Sequence, residues 1–180
     1  ISGGAMTLLA TQTASGSANL SFTSGIDSTY DSYVFKFYNI HPATDGVTFE
    51  FQGSTNGGST YGVTITSSVF QAYHQENDAG AGIQYATNND LAQSTSFQKI
   101  TGDLGNQNDE CGSGIVQLFN PSSTTFVKHF ITRENGQQNN EQSVNVFAAG
   151  YFNTTSAINA VQFKMSSGNF DGVIKLYGIS

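Results

Sequence analysis

Cysteine is nearly absent from this sequence: Cys111 stands alone, so no disulfide forms within the chain, and no catalytic signature surrounds it. It reads as a small buried or half-buried thiol. Bases are also scarce. Six lysines and arginines face 13 acids, for a formal net charge of -7, and the six are scattered as Lys36, Lys99, Lys128, Arg133, Lys164 and Lys175. So few and so dispersed, they argue against phosphate-backbone binding, and no nucleic acid is expected as a partner. No apolar run approaches the ~18 residues of a membrane span, and the start carries no secretory pattern, so membrane insertion is not expected. Helical apolar spacing is missing over any three turns, and no internal repeat is visible.

What remains is rich in β-forming and turn-forming residues. The hydrophobic share of 37% lies mainly in Phe, Tyr, Val and Ile, and the polar share is mostly Ser, Thr, Asn, Gln and Gly. That composition matches extracellular or virion β proteins whose surfaces are built from hydroxyls and amides. The clearest alternation is "VTFEFQ", in which Val47, Phe49 and Phe51 point to one side and Thr48, Glu50 and Gln52 to the other, the pattern of a half-buried strand. "AVQFKM" repeats it with Val161, Phe163 and Met165 inward, and "VIKLYG" sets Ile174 and Leu176 against Lys175. Further strands are predicted at Met6 to Thr11, Asn19 to Thr23, Tyr33 to Ile40, Gly62 to Thr66, Thr95 to Ile100, Gly114 to Phe119, Thr125 to Thr132 and Val144 to Tyr151. About ten short strands separated by turn clusters predict a single all-β domain, a jelly-roll-like β-sandwich over residues 6–180, with residues 1–5 as a flexible Gly-rich arm. The turn clusters include "GSTNGGSTYG", "ENDAGAG", "GDLGNQND" and "RENGQQNNEQ". Gln71 to Ser94 reads as one or two long connections of the kind that carry binding on a β scaffold.

Chemistry-bearing residues do not assemble into a recognisable catalytic, metal or cofactor signature. His41, His74 and His129 fall in unrelated segments without paired ligand spacing. Asp103, Asp109 and Glu110 share one predicted loop, but glycosidase carboxylates face each other across a cleft, and neighbouring loop acids read as a solvated turn. These acids, with Asp45 and Asp78, lack the spaced Asp-x-Asp-x-Asp-Gly loop of a Ca²⁺ site. "STNGGSTY", Ser54 to Tyr61, looks like the Asp-box turn of sialidases, with Asn56 where Asp is usual, and is read as a hairpin turn. Asn153 to Thr155 fits a glycosylation tripeptide and equally a turn before the next strand. Tyr30, Tyr33, Tyr38, Tyr73 and Tyr85 are candidates for sugar stacking or subunit packing. Tyr73, His74 and Tyr85, in the long uncertain segment, are the candidate interface or glycan contacts.

Three blocks, "NIHPATDGVTFEFQGSTNGGSTY", "LFNPSSTTFVKHF" and "GYFNTTSAINAVQFKMSSGNFDGVIKLYGIS", resemble a family of structural (virion) proteins of marine tailed bacteriophages, including phages of cyanobacteria. The resemblance covers under half of the chain and brings no functional residues with it. It implies a β-sandwich virion component whose closing strand is integral to a sheet. The expected function is that of a non-enzymatic decoration or cement protein on the capsid exterior, self-assembled as a homotrimer on a capsid or tail protein. The alternative is the receptor-binding head of a tail fibre, with a host surface glycan as partner.

Overall fold

Alternation of apolar and polar residues sets the architecture. The computed structural model describes residues 6–180, and the expected arm at 1–5 lies outside them. The described residues form strands and no helix: β1 (Thr7–Ser17), β2 (Asn19–Phe22), β3 (Ser32–Pro42), β4 (Phe49–Ser54), β5 (Ile65–Gln75), β6 (Ala81–Tyr85), β7 (Gln98–Lys99), β8 (Gly112–Phe119), β9 (Lys128–Gln138), β10 (Gln142–Phe152), β11 (Ala160–Met165) and β12 (Phe170–Ile179). They build two antiparallel sheets packed as a sandwich, an eight-stranded one in the order β1-β12-β3-β8-β9-β10-β5-β6 and a four-stranded one in the order β2-β11-β4-β7. The eight-to-four division differs from two equal sheets of a minimal jelly roll. Only β5–β6, β8–β9 and β9–β10 are sequential hairpins; every other step along the chain crosses between the sheets. β12 lies between β1 and β3, inside the large sheet.

The core is a block of phenylalanine rings clamped between the sheets. Phe163 on β11 touches four of them: Phe35 at 5.1 Å, Phe49 at 5.7 Å, Phe51 at 6.1 Å and Phe22 at 6.2 Å between centroids. Phe49 continues the contacts to Phe37 and Phe170, both at 5.4 Å, and Phe51 to Phe130 at 5.1 Å. Edge-to-face and offset contacts of this kind add to the roughly 1.5–3 kcal/mol that burial of each ring supplies. Two glycines make the fit possible. A Cβ on Gly53 would stand 2.9 Å from the Phe152 ring, and Gly172, at φ 141°, forms the bulge where β12 shifts register against β3.

Several strands depart from expectation, each for a physical reason. Thr48, Glu50 and Gln52 are buried on the other side of β4: Thr48 Oγ1 donates to Glu50 Oε1 at 3.1 Å, and Gln52 meets the Ser94 to Thr101 segment. Gln52 Nε2 donates to the Thr95 and Ser96 carbonyls at 3.1 and 2.9 Å, and Phe49 N donates to Thr101 Oγ1 at 2.8 Å. That segment is mostly irregular, with only Gln98 and Lys99 in a strand, and the strand expected from Gly62 begins at Ile65 and runs on to Gln75. The Gln71 to Ser94 region is connection for more than half its length, but Gln71 to Gln75 completes β5, and β6 pairs with it as a polar edge hairpin. The cluster "RENGQQNNEQ" is largely strand, since β9 extends to Gln138 with Glu134 and Gly136 at inward positions. "STNGGSTY" is a turn, built by Ser54 Oγ accepting from the Asn56 and Gly58 amides and Asn56 Oδ1 accepting from Thr60 N. It passes the chain from the small sheet to the large one and does not close a hairpin.

Phe49→Ala and Phe163→Ala are each expected to cost about 3–5 kcal/mol, because neither ring's neighbours can collapse into the gap without breaking other ring contacts. Ile131→Ala, on an exposed side chain, is expected to cost under about 1 kcal/mol. Urea unfolding of the three variants checks the ranking; equal midpoints for Phe163→Ala and Ile131→Ala would contradict it.

Candidate functional site

Cα partners in an antiparallel pair share a face, so register alone sorts the residues predicted from sequence. Phe70 stands opposite Tyr85 and His74 opposite Ala81, whereas Tyr73 stands opposite Gly82 in the other phase. His74 and Tyr85 therefore lie on the outer face, while Tyr73 lies on the inner one, packed against the small cluster of Val69, Val144, Val146 and Ala148. The three candidate contacts do not form one site. His74 Nε2 lies 3.1 Å from Asp78 Oδ1, and the Tyr85 hydroxyl donates to Asp90 Oδ2 at 2.7 Å, a bond that raises the Tyr85 pKa above 10.0. Tyr33 is fully buried rather than exposed, its hydroxyl donating to the Asp27 carbonyl at 2.9 Å. Asp103 and Asp109 are exposed, but Glu110 turns inward, its Oε2 accepting from Gln107 N at 2.7 Å. Among the described residues, no group of three or more His, Cys, Asp or Glu is arranged to hold a metal. Asn153 Nδ2 donates to Gln93 Oε1 at 2.7 Å, and Cys111 is a free, half-buried thiol.

The outer face of the large sheet brings together residues that no sequence segment joins. Successive registers align Lys175 on β12, Lys36 on β3, Ile115 on β8, Arg133 on β9, Phe147 on β10 and Phe70 on β5 in one row across the sheet, ending at Tyr85 on β6. Eight strands make this face about 34 Å wide. At its centre is a hollow of about 380 Å³ lined by Phe70, Ile115, Ile131, Arg133 and Phe147. Phe70 and Phe147 stack at 4.8 Å with their planes 5° apart, and the Arg133 guanidinium lies 5.1 Å from the centre of Phe147. Because β10 runs between β9 and β5, Arg133 and Phe70 reach Phe147 from opposite sides.

The charge on this face opposes that of the whole chain. Only Glu50, Glu134 and Asp171 among the acids lie in strands. Glu50 sits on the small sheet, Glu134 points into the sandwich, and Asp171 is at a corner of the large sheet, its Oδ1 accepting from Gly16 N at 2.7 Å. Other carboxylates reach only the rim: Glu76 takes the Gln137 amide at 2.9 Å, and Asp78 and Asp90 are held as above. None of Lys36, Lys175 and Arg133 pairs with a carboxylate among the described residues. Lys36 and Lys175 stand directly opposite each other, with Lys36 Nζ 5.4 Å from the centre of the Tyr177 ring and Lys175 Nζ 5.7 Å from the centre of the Tyr38 ring. Burial first, and the neighbouring Tyr177 second, raise the Tyr38 hydroxyl above 10.0.

Two charged side chains inside the sandwich escaped the sequence reading. Lys128 is fully buried, and its Nζ donates to the carbonyls of Phe126 at 2.8 Å and Thr154 at 3.0 Å, with burial lowering its pKa. Its phase shared with Phe130 was the available signal. Glu134 is 1% exposed, neither carboxyl oxygen has a hydrogen-bond partner among the described residues, and burial pushes its pKa well above 4.5. Gly112, Gly136 and Leu104 close around it, so the carboxyl is sealed from any substrate.

Set against protein-family models, curated proteins and solved structures, the chain matches none. Its class is defined by fold and face together: an antiparallel β-sandwich with a broad apolar and cationic surface on the large sheet.

Glu134 makes stability depend on pH. Below about 4.5 the carboxyl is neutral in folded and unfolded chains alike; above that value the unfolded chain ionises while the folded one keeps its proton, so stability falls as pH rises towards the raised folded pKa. Urea midpoints measured over this window should fall for the wild type relative to Glu134→Gln. Parallel profiles would contradict a buried protonated Glu134.

Proposed function

We propose that this chain is a non-enzymatic structural protein of a tailed-phage particle, placed on the capsid exterior as a trimeric decoration or cement protein. The observation that carries the reading is that the three blocks resembling marine-phage virion proteins meet in space. Phe51, Phe130 and Phe152 come one from each block and pack mutually, at 5.1, 5.6 and 6.1 Å between centroids. Ile158 N donates to the Pro121 carbonyl at 2.8 Å and Gly57 N to Asn159 Oδ1 at 2.8 Å, so backbone and side-chain bonds also join the blocks. The resembling residues thus make up one packed framework. Outside the blocks lie Ile115, Arg133, Phe147 and Phe70 of the outer face, the part through which such a module engages its own particle. The tail-fibre alternative draws less support, because Tyr73, His74 and Tyr85 do not gather into one glycan platform.

Quantifying the chain against the major capsid protein in purified particles tests this reading. A ratio near one to one, or one to a small integer, is expected, together with a mass near three times 19.1 kDa for the isolated protein. Scarce copies confined to the tail would overturn the capsid placement. Incubation with a glycan panel, with and without a chelator, is expected to give no turnover and no shift in thermal midpoint on chelation; turnover lost on replacing Asp103, Asp109 or Glu110 would contradict the non-enzymatic assignment.

A further inference from the structure

We propose that the outer face of the large sheet docks an acidic protein segment, one bulky apolar side chain of which fills the hollow at Phe70, Ile131 and Phe147 while flanking carboxylates meet Arg133 and the Lys36–Lys175 pair. The inference rests on the docking-module reading for the existence of a partner, and it adds the chemistry of that partner.

Charge is the first argument. The chain carries -7 overall, yet this face presents three cations and no strand carboxylate apart from Asp171 at its corner. Like charges directly opposite one another destabilise a sheet, and Lys36 and Lys175 are in register. The rings of Tyr177 and Tyr38 beside them offset part of this repulsion and leave both charges in place. A carboxylate placed between the two ammonium groups removes it. Arg133 lies two strands from Lys36, about 10 Å away, so a second carboxylate a few residues along an extended segment reaches it. Its planar guanidinium, lying along Phe147, keeps donors free for a carboxylate fork.

Shape selects protein over the other acidic classes. The hollow is lined by aliphatic side chains and ring edges, a site for a Leu-, Met- or Phe-like group. Sugars stack on open ring faces, but both faces of Phe147 are taken, one by Phe70 and one by Arg133. A second copy pairing through the same face about a two-fold axis would set cations against cations. Nucleic acid, with a phosphate about every 3.4 Å along each strand, brings more negative charge than three cations offset against a chain of net charge -7, whereas a short segment with two or three carboxylates matches them.

Chemical-shift mapping on the full chain tests the proposal, with three probes: a short peptide alternating Asp or Glu with Leu and Phe, its Lys-for-acid counterpart, and an oligomer of uronic acid. The acidic peptide is expected to shift Ile115, Ile131, Arg133 and Phe147 saturably. Its binding should be about tenfold or more tighter than that of the basic peptide, weaken with added salt, and fall about tenfold in Arg133→Glu combined with Lys36→Glu. Both substituted residues are on the surface of the sheet, and an unchanged thermal midpoint verifies the fold of the variant. Ile131→Ser provides an independent check, weakening the acidic peptide while leaving the salt dependence intact. Absence of saturable shifts, equal binding of the basic peptide, shifts elsewhere on the chain, or tighter binding of the uronic acid oligomer would each overturn the proposal. Loss of self-association in the charge-reversed variant would overturn it too, by making a second copy the occupant. A low copy number in particles would remove the capsid placement and leave this binding result standing.

Discussion

The packing of Phe163 against Phe22, Phe35, Phe49 and Phe51 is the contact on which the rest of the structure depends. β11 carries Phe163 and sits between β2 and β4 in the small sheet, while Phe35 comes from β3 of the large one. A ring at that position fixes the spacing of the two sheets. Because side chains alternate along a strand, rings committed to the interior commit their neighbours to the exterior, so Phe35 and Phe37 place Lys36 outward, and Ile174 and Leu176 do the same for Lys175. The cationic row is thus a consequence of the aromatic core combined with strand order.

A large sheet covered on one side by only four strands must handle the uncovered remainder. Beyond Phe130, Phe152 and Ile65, which reach the phenylalanine block, the inner side of β9, β10 and β5 is closed by a small aliphatic cluster, by the loop bearing Leu104, and by the neutral carboxyl of Glu134. The small cluster has Val and Ala where the main core has Phe. The same three strands, together with β8, line the outer hollow. A partner seated on the outside adds apolar burial over the Val- and Ala-lined part of the interior, and so stabilises the folded chain by binding it.

Alternation made the central strands legible: Phe49, Phe51, Val161, Phe163, Ile174 and Leu176 are all fully buried. It failed where polar residues occupy inward positions. Lys128 and Glu134 follow the inward phase of Phe130 and Thr132, yet a charged side chain reads as outward until carbonyl acceptors or a raised pKa make its burial tolerable. Thr48, Glu50 and Gln52 alternate with the core residues as expected, but they are buried: a segment 43 to 44 residues further on takes the Gln52 amide, and Glu50 accepts from Thr48 Oγ1 and lies 3.5 Å from Lys164. The edge hairpin of β5 and β6 was missed because an edge strand with Gly82, Gln84 and an exposed Ile83 lacks the apolar alternation of a buried one. The outer row was unreadable in principle: Lys36, Ile115, Arg133, Phe147 and Lys175 are scattered along the chain, and only the pairing order β12-β3-β8-β9-β10 brings them side by side.

The central claim is that this module meets its particle through the outer face of the large sheet. Hydroxyl-radical footprinting of the chain, free and within intact particles, tests it most directly, since Phe70 and Ile131 at 48% and 43% exposure and Phe126 at 71% all react when free. The account predicts that Phe70, Ile131 and Phe147 lose reactivity in the particle while Phe126, at the end of the sandwich, keeps it. Retained labelling of the hollow with protection confined to Phe126 and its neighbours would contradict the claim and move the contact to the tip of the domain.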